Sequence, residues 1–231
     1  MKKLSSLSVV FPCYNDQLAI EEIVKKTAKM LPAIASSYEI VIVNDGSTDN
    51  SKETLVRLKS KLPFLKVIMH NKNQGYGASL KEGFNNSAKE FIFYTDGDGQ
   101  YDVLELSKLI AAFDKNTDMV SGFKLNRADS FLRKIIGALY NQFVKLLFQL
   151  KTKDVDCDFR LFRRKILTGL KFRTKSGAFD TEFIKKLQNA NVRIKEIGVH
   201  HYPRKFGQSQ FFNPPKIFQS LWDLALLRLN I

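Results

Sequence analysis

The chain has 231 residues, enough for one domain or for one domain with an appendage. Hydrophobic residues make up 44% and charged residues 26%, as in ordinary soluble globular proteins. The net charge of +14 indicates an anionic partner: nucleic acid, an anionic membrane surface or a phosphorylated substrate. Because no uncharged apolar run approaches the roughly 20 residues that span a bilayer, the composition argues against a transmembrane segment.

The first half of the chain alternates apolar strand patterns with helical patterns. Leu7–Asn15, LSVVFPCYN, predicts a buried strand that ends at a proline turn, and not a signal peptide. Helical spacing follows over Asp16–Leu31. YEIVIVNDGSTD predicts a second strand, and we expect Ser47 or Thr48 to cap a helix at Asp49–Leu62. Three shorter strands follow, LKVIMH, EFIFYTDGDG and DMVSGF, with a glycine-containing loop and a helix between the first two. This alternation predicts a mostly parallel sheet flanked by helices.

After Phe123 the pattern changes. Phe131–Leu150 is a long, basic and very apolar helical stretch. DVDCDFRLFRRKIL predicts a strand or turn that enters a helix, AFDTEFIKKLQNA a helix and VRIKEIGVHHYP a strand. A loop, RKFGQSQFFNPP, then leads to a C-terminal amphipathic helix, KIFQSLWDLALLRLNI. Cys13 and Cys157 lie far apart and match no zinc spacing, so we expect free thiols in a reducing compartment.

Acidic residues follow two of the predicted strands. Asp96 and Asp98 alternate with glycines directly after EFIFYT, a pattern that suits a Mg²⁺ or Mn²⁺ site or, alternatively, a solvated turn. Asp45 follows VIVN, where a carboxylate can accept hydrogen bonds from a ribose or a base. Parallel sheets bind ligands beyond the carboxyl ends of their strands. The two acidic strand ends therefore suit a nucleoside diphosphate and argue against nucleic acid as the partner, despite the net charge.

The stretch Phe131–Leu150 raises the question of membrane contact. Its longest uncharged part, Ile135–Val144, has ten residues, too few to span a bilayer. With Lys134 and Lys145 able to reach the headgroups, it predicts an interfacial helix, and each basic residue adds about 1 kcal/mol near an anionic surface. The alternatives are a buried core helix or a dimer interface. The C-terminal helix with Trp222 is a candidate second anchor.

Four motifs together resemble the family 2 glycosyltransferases with a GT-A fold. They are VVFPCYND, IVIVNDGSTDNS, NQGYGASLKEGF and YTDGDGQYD, in that family's order and spacing over roughly the first half of the chain. In the second half, DVDCDFRLFRR, AFDTEF and HYPRKFGQSQ resemble the branch of dolichyl-phosphate mannosyltransferases and polyprenyl-phosphate glycosyltransferases. The resemblance implies an α/β fold with a Rossmann-like, mostly parallel sheet. The chain departs from the branch pattern at Asp158, where glycine is frequent, at Gly99, where leucine is common, and at Asp16, which replaces the usual glutamate.

The resemblance also implies roles on the donor side. Pro12, Tyr14 and Asp16 would border the base pocket, Asp45 would read the nucleoside, and Asp96 and Gly97 would lie near the nucleotide. The metal ligands for Mg²⁺ or Mn²⁺ would be Asp96, Asp98 and Gln100, with the diphosphate completing the site. The alternative for Pro12 and Tyr14 is a strand-end turn with a packed ring.

On the acceptor side, the resemblance assigns catalytic roles to basic residues. Lys124 and Arg133 would face the acceptor phosphate, while Arg160 and Arg204 would lie near the substrate phosphates. Ser209 belongs to the same loop as Arg204, and this loop is expected to close over the diphosphate. A polyprenyl phosphate is already an anionic nucleophile, so cations that position it matter more than a base. The alternative is that these side chains are surface charges of a basic protein.

Glu182, in FDTEF, falls where many family 2 enzymes carry a catalytic acidic residue, and is predicted on the acceptor or sugar side. The alternative is that it orients Arg160 or the sugar. Asp154, Asp156 and Asp158 alternate like metal ligands, but we expect one of them to cap the turn and another to pair with a nearby arginine. His200 and His201, at a strand end, are expected to be structural.

The resulting prediction is an inverting glycosyltransferase, peripheral on the cytoplasmic, inner face of the cell membrane. It would move a sugar from a nucleotide sugar, of GDP-mannose or UDP-hexose type, to polyprenyl phosphate. The alternatives are a saccharide acceptor in cell-surface polysaccharide synthesis, with Glu182 as base, and a binding protein without turnover. The predicted organisation is a nucleotide-sugar-binding core at 1–130, an interfacial helix at 131–153, an acceptor-side part at 154–212 and a C-terminal helix at 213–231.

Overall fold

The structure is a computed structural model that describes residues 3–127, 131–207 and 214–230. Its strands are β1 (Leu4–Cys13), β2 (Ala35–Asn44), β3 (Leu65–Met69), β4 (Phe91–Thr95), β5 (Met119–Arg127), β6 (Phe159–Arg163) and β7 (Ile194–His201). Its helices are α1 (Gln17–Ile34), α2 (Ser51–Lys61), α3 (Tyr76–Asn85), α4 (Leu106–Ala112), α5 (Phe131–Phe148), α6 (Phe179–Asn189) and α7 (Pro214–Asn230).

In the described part of the chain the strands form one seven-stranded sheet, in the order β3-β2-β1-β4-β6-β5-β7. β1 pairs in parallel with β2 and β4, β2 with β3, and β5 with β7. β6 runs antiparallel between β4 and β5. The prediction of an α/β fold with a mostly parallel sheet is confirmed, and both late strands join the same sheet as the early ones.

The central strands β1, β2 and β4 are buried on both faces of the sheet, which explains why they are nearly continuous apolar runs. Side chains alternate across a strand, so Val9 and Phe11 of β1 pack on one face and Val10 on the other. Helices α1, α2 and α4 cover the face of Val9 and Phe11. Helices α3, α5, α6 and α7 contribute to the core on the face of Val10. The carboxyl ends of β1, β2 and β4 are thereby held side by side at one edge.

The turn before α2 differs from the predicted cap. Ser47 Oγ accepts a hydrogen bond from the Asn15 amide at 3.0 Å, so this hydroxyl serves the preceding β1–α1 turn. The Asp49 carboxylate instead accepts from the Ser51 amide at 3.0 Å and from the Gln17 amide at 3.2 Å. Because one carboxylate binds the first residues of both helices, Asp49 ties the starts of α1 and α2 together. Contacts between distant turns, which local sequence does not encode, decided this cap.

Helix α5 has one buried face and one exposed apolar face. Val144 and Phe148 are buried in the core beneath the sheet. Leu139, Phe143 and Leu146 are 66%, 50% and 79% exposed. Among the described residues, none of the helices combines the length and the apolarity needed to cross a bilayer. The helix therefore packs on the domain while an apolar surface stays uncovered by the described residues.

Both cysteines are buried and neither forms a disulfide. Burial raises the pKa of the Cys13 and Cys157 thiols to about 12. They are free thiols, as predicted.

Candidate functional site

A cavity of about 460 Å³ opens at the carboxyl ends of β1, β2 and β4. Parallel strands bring their carboxyl ends to one edge, and this is where such sheets bind ligands. The cavity is lined by many of the residues that the sequence singled out, namely Pro12, Tyr14, Asp16, Asp45, Asp96, Gly97, Asp98, Gln100, Lys124 and Arg204. The sequence motifs, up to 192 residues apart, therefore meet in one place.

The acidic turn after β4 is shaped by close backbone approach. A Cβ atom on Gly97 would lie 2.5 Å from the Pro12 carbonyl oxygen, so a side chain here would collide with the end of β1. The Gln100 amide donates to Asp98 Oδ1 at 3.0 Å, and Gln100 Nε2 donates to the Tyr202 carbonyl at 3.2 Å. These bonds fix Asp98 and Gln100 to each other and to the segment after β7.

The carboxylates of this turn create a strongly acidic environment. Burial, together with the neighbouring Asp98, raises the pKa of Asp96 to about 8. Arg204 lies near both Asp98, with Nη1 3.6 Å from Oδ2, and Asp16, with which it forms an ion pair. Burial also raises the pKa of Asp16, although Arg204 opposes that shift. The arginine thus supplies a positive charge at a point where the turn attracts cations.

The donor set fits a hard divalent cation. Two carboxylates and an amide oxygen are ligands that Mg²⁺ and Mn²⁺ prefer, and Gly97 lets the turn approach the β1 strand closely. In the described ranges, no three His, Cys, Asp or Glu side chains converge on one point. A cage built wholly from such side chains is therefore not formed there, and the residues suit a cation whose remaining ligands come from a bound diphosphate.

Asp45 holds the loop that precedes α3. Its carboxylate accepts from the amides of Gln74 and Gly75 at 2.8 and 2.9 Å, and lies 2.7 Å from His70 Nδ1. Gly75 has φ +102°, a conformation that side chains disfavour. Asp45 therefore shapes the pocket wall through the Gln74–Gly75 turn, and its contact with a nucleoside stays a prediction.

Lys124, on β5, lines the cavity on the side that residues of the second half of the chain form. Its Nζ donates to the Asp156 carbonyl and lies 3.7 Å from Asp154 Oδ2. The Asp154 carboxylate also accepts from the amides of Lys124 and Asp156, at 3.3 and 3.2 Å. Asp154 thus binds the amides of its turn, as expected, and it also lies beside Lys124, which is a cavity-facing cation.

Arg160 is placed differently from the expectation that it lies near substrate phosphates. It has no exposed surface and does not line the cavity. Its Nη1 donates to Asp180 Oδ1 at 2.6 Å and to the Tyr94 hydroxyl, while Nη2 donates to the Val155 carbonyl. The guanidinium is engaged inside the core because β6 lies in the middle of the sheet. Arg160 therefore acts on the cavity through Asp180, which does line it.

Glu182 is also placed differently from its predicted acceptor or sugar side. Its buried carboxylate accepts from the amides of Arg173 and Thr174, at 2.9 and 2.8 Å, and from Lys186 Nζ at 2.6 Å. Burial opposes its ionisation, but these hydrogen bonds outweigh burial and lower the pKa of Glu182. It lines a separate groove of about 710 Å³. Two residues along a helix point to different sides, so Asp180, not Glu182, faces the cavity.

Several cavity residues were not assigned to the site from sequence. Asp158 and Asp180 line it, and Tyr76 and Tyr140 line it from α3 and α5. Asp180 could have been found from FDTEF, because two residues that are two positions apart on a helix, such as Asp180 and Glu182, point to different sides. Burial and Asp180 raise the pKa of Asp158 well above its usual range.

Four other residues were singled out by the sequence. His200 Nδ1 lies 2.6 Å from Glu105 Oε1, whereas His201 lines the cavity and its ring centre lies 5.2 Å from that of Tyr101. The side chain of Arg133 and the whole of Ser209 fall outside the described residues, so their roles stay predictions.

The sequence matches the profile of the family described as Glycosyl transferase family 2 over residues 8–170. This match covers most of the chain and includes the acidic strand ends, Lys124 and the β6 segment. It ends before α6 and the segment that carries Arg204.

The fold is similar to that of glucosyl-3-phosphoglycerate synthase from Mycobacterium tuberculosis. The structure of that protein with Mn²⁺ and uridine-diphosphate-glucose has a TM-score of 0.73 and 14% identity, covering 98% of this chain and 80% of that chain. The structure with phosphoglyceric acid has a TM-score of 0.73 and 15% identity, covering 98% and 81%. The structure with Mg²⁺ and uridine-diphosphate has a TM-score of 0.71 and 14% identity, covering 98% and 80%. At this identity the likeness shows the fold alone.

Proposed function

Because the chain belongs to glycosyl transferase family 2, we propose that it transfers a sugar from a nucleotide sugar to polyprenyl phosphate at the cytoplasmic face of the cell membrane. Membership of the family establishes glycosyltransferase activity, whereas the lipid acceptor and the location at the membrane are our proposal. This proposal assigns the chain to the branch of dolichyl-phosphate mannosyltransferases and polyprenyl-phosphate glycosyltransferases. One observation carries it: the cavity at the acidic strand ends continues to two helices with exposed apolar surfaces.

The acceptor end of the cavity is built by α5 and α7. Ile136 and Tyr140 of α5, and Ile217 and Leu221 of α7, line the same cavity as Asp98. On the outer surfaces of these helices, apolar side chains are exposed, including Leu139 and Leu146 on α5 and Phe218, Trp222 and Leu229 on α7. Apolar helix faces on a protein of net charge +14 are typical of binding at an anionic membrane surface. A lipid phosphate would thus reach the cavity from the membrane plane.

The donor end would hold the nucleotide diphosphate against Asp98 and Gln100. A bound Mg²⁺ or Mn²⁺ would offset the negative charge that develops on the leaving nucleoside diphosphate. Arg204, which pairs with Asp16 and lies near Asp98, would be in reach of the same charge. Pro12 and Tyr14 would border the base.

The acceptor phosphate would be positioned by charge. Lys124 faces the cavity and is held by the Asp156 carbonyl and Asp154. An oxygen of the acceptor phosphate would form the new bond to the anomeric carbon while the bond to the diphosphate oxygen breaks, which inverts that carbon. Since the phosphate is already anionic, the step needs orientation more than a base.

A saccharide acceptor with Glu182 as base is less favoured by the geometry. That carboxylate is buried, holds two backbone amides and lines the separate groove. A small phosphorylated acceptor shares the anionic chemistry that Lys124 suits, and the structural neighbour was solved with phosphoglyceric acid. Acceptor assays therefore have to include both kinds of phosphate.

The acceptor is tested with radiolabelled GDP-mannose and UDP-glucose, each offered with polyprenyl phosphate, phosphoglyceric acid or a saccharide panel in the presence of Mn²⁺. We expect organic-extractable label that depends on both the metal and the lipid. Transfer to phosphoglycerate or saccharide alone would replace the proposed acceptor. Nucleotide binding without transfer to any acceptor would indicate a binding protein.

Membrane association is tested with a matched pair of double variants. Leu139→Asp with Leu146→Asp puts two charges on the exposed face of α5, two helical turns apart. Val56→Asp with Leu104→Asp puts two charges at exposed apolar positions outside α5 and α7. We expect the first to lose sedimentation with anionic liposomes and the second to keep it, with unchanged thermal melting in both. Equal sedimentation of the two folded variants would exclude α5 as the anchor.

A further inference from the structure

We propose that Asp158 selects the transferred sugar by accepting a hydrogen bond from one of its hydroxyl groups. This inference rests on the proposed use of a nucleotide-sugar donor. It concerns a residue of this chain that stands where the resembling branch often has glycine, so it addresses what distinguishes this enzyme's donor pocket.

The sheet register places Asp158 beside the acidic turn. In the antiparallel pairing of β4 with β6, Thr95 is opposite Phe159. Asp96 directly follows β4 and Asp158 directly precedes β6, so the two lie across from one another where the strands open into the cavity. Asp158 lines the cavity although it is 9% exposed. It is therefore a largely buried carboxyl group at the cavity wall.

One oxygen of Asp158 lacks a hydrogen-bond partner. Within the described residues, nothing donates to Oδ1. The nearest cation, Arg160 Nη1, is 3.9 Å away, beyond hydrogen-bond distance, and it donates to Asp180 and the Tyr94 hydroxyl. A buried acceptor that stays unsatisfied is unfavourable, so a ligand group that donates to this oxygen would be bound selectively.

The chemistry of the surroundings favours a neutral donor group. Asp96 and Asp180 line the same wall, so a phosphate placed against Asp158 would meet repulsion. The metal-binding turn would hold the diphosphate, and the sugar is bonded to the distal phosphate. A sugar attached there would lie toward Asp158, which faces the turn across the β4–β6 pairing. Sugar hydroxyls are the donor's abundant neutral hydrogen-bond donors, and a buried site made to bind one rejects analogues without it.

The alternative is that Asp158 only balances the positive charge of Arg160 and contacts no ligand. In that case removing the carboxyl group changes stability but not the affinity for any ligand. The two roles are separated by comparing a nucleoside diphosphate with the same nucleotide carrying its sugar, because only the second ligand reaches Asp158.

The experiment is calorimetry with Mn²⁺ and no acceptor, using UDP against UDP-glucose and GDP against GDP-mannose. For the pair that binds the wild type, we expect Asp158→Ala to weaken the nucleotide sugar at least about tenfold and the nucleoside diphosphate by less than about twofold. Asp158→Gly serves as a second variant. Asp118→Ala is the matched control, because this carboxylate is similarly buried and pairs with Arg193 just before β5, at the other end of the sheet.

Deoxy-sugar analogues of the binding nucleotide sugar then identify the contact. One deoxy analogue should bind the wild type about as weakly as the complete nucleotide sugar binds Asp158→Ala. Asp158→Ala itself should bind this analogue and the complete nucleotide sugar with the same affinity. Equal losses for diphosphate and nucleotide sugar, or no loss in folded variants, would overturn the inference while leaving the proposed function intact. If neither nucleotide sugar binds the wild type, the proposed donor and this inference both fall.

Discussion

Replacing Arg160 by methionine tests whether this residue holds the cavity wall together or contacts the substrate. Arg160 is fully buried and its ion pair with Asp180 has an N–O distance of 2.6 Å. The variant loses this pair and the donations to Tyr94 and Val155, and it leaves Asp180 and Asp158 buried without their nearest cation. We therefore expect the folded state to be strongly destabilised.

The magnitude follows from the uncompensated charge. Removing one partner of a buried ion pair costs roughly 3–5 kcal/mol, a large part of the roughly 5–15 kcal/mol by which a typical domain is stable. Adding Asp180→Asn removes the charge left behind. The double variant should then be less destabilised than the sum of the two single variants, with a coupling of about 1 kcal/mol or more.

Urea unfolding at neutral pH measures these free energies, with Arg163→Met as the control. Arg163 lies on the same strand and pairs with the exposed Glu90, so its loss should cost less than about 1 kcal/mol. For each variant, calorimetry also measures the affinity for a nucleoside diphosphate. An Arg160→Met protein of nearly wild-type stability that binds the diphosphate poorly would refute the structural role and restore direct phosphate contact.

Three further predictions concern the metal, the acceptor and pH. Asp98→Asn should keep the fold and lose metal-dependent turnover; full activity in a Mn²⁺ titration would contradict the metal assignment. Lys124→Ala should weaken use of the lipid phosphate about tenfold and diphosphate affinity less than about twofold, and the reverse pattern in kinetics and calorimetry would contradict it. Because the folded protein lowers the pKa of Glu182, its contribution to stability is present above the unfolded value of about 4.3 and is lost as the pH falls through the folded value. Glu182→Gln should therefore reduce the dependence of urea unfolding on pH between about 7 and about 3, and an unchanged dependence would exclude the role.

The donor half of the site was predictable because its residues follow strands. In a mostly parallel sheet the residues after each strand meet at one edge, so the pattern of apolar runs already groups Pro12, Asp45 and Asp98. Local turn chemistry was less predictable. Ser47 accepts from the Asn15 amide, and Asp49 accepts from the first amides of both α1 and α2, because these two turns bond to each other as well as to their own neighbours.

The residues of the second half were identified as a set but not by role. The motif DFRLF marked Arg160 and Asp158, yet sequence does not show which of the two faces the cavity. The same holds for FDTEF, where the helix turns Asp180 toward the cavity and Glu182 toward the separate groove. Local spacing gives the relative directions of two side chains, but their absolute direction depends on how the element is packed.

The sequence by itself determined the α/β class, the strand ends that carry the acidic motifs and the membership of the chain in its family, since hydrophobic periodicity and local motifs are properties of neighbouring residues. The tertiary structure alone decided that β6 runs antiparallel between β4 and β5, because strand direction and order depend on the path of the chain and not on side-chain alternation. That reversal buries Arg160 in the middle of the sheet and sets Asp158 across from Asp96. It also makes Arg160 of DFRLF a buried support and Asp158 of the same motif a wall of the cavity.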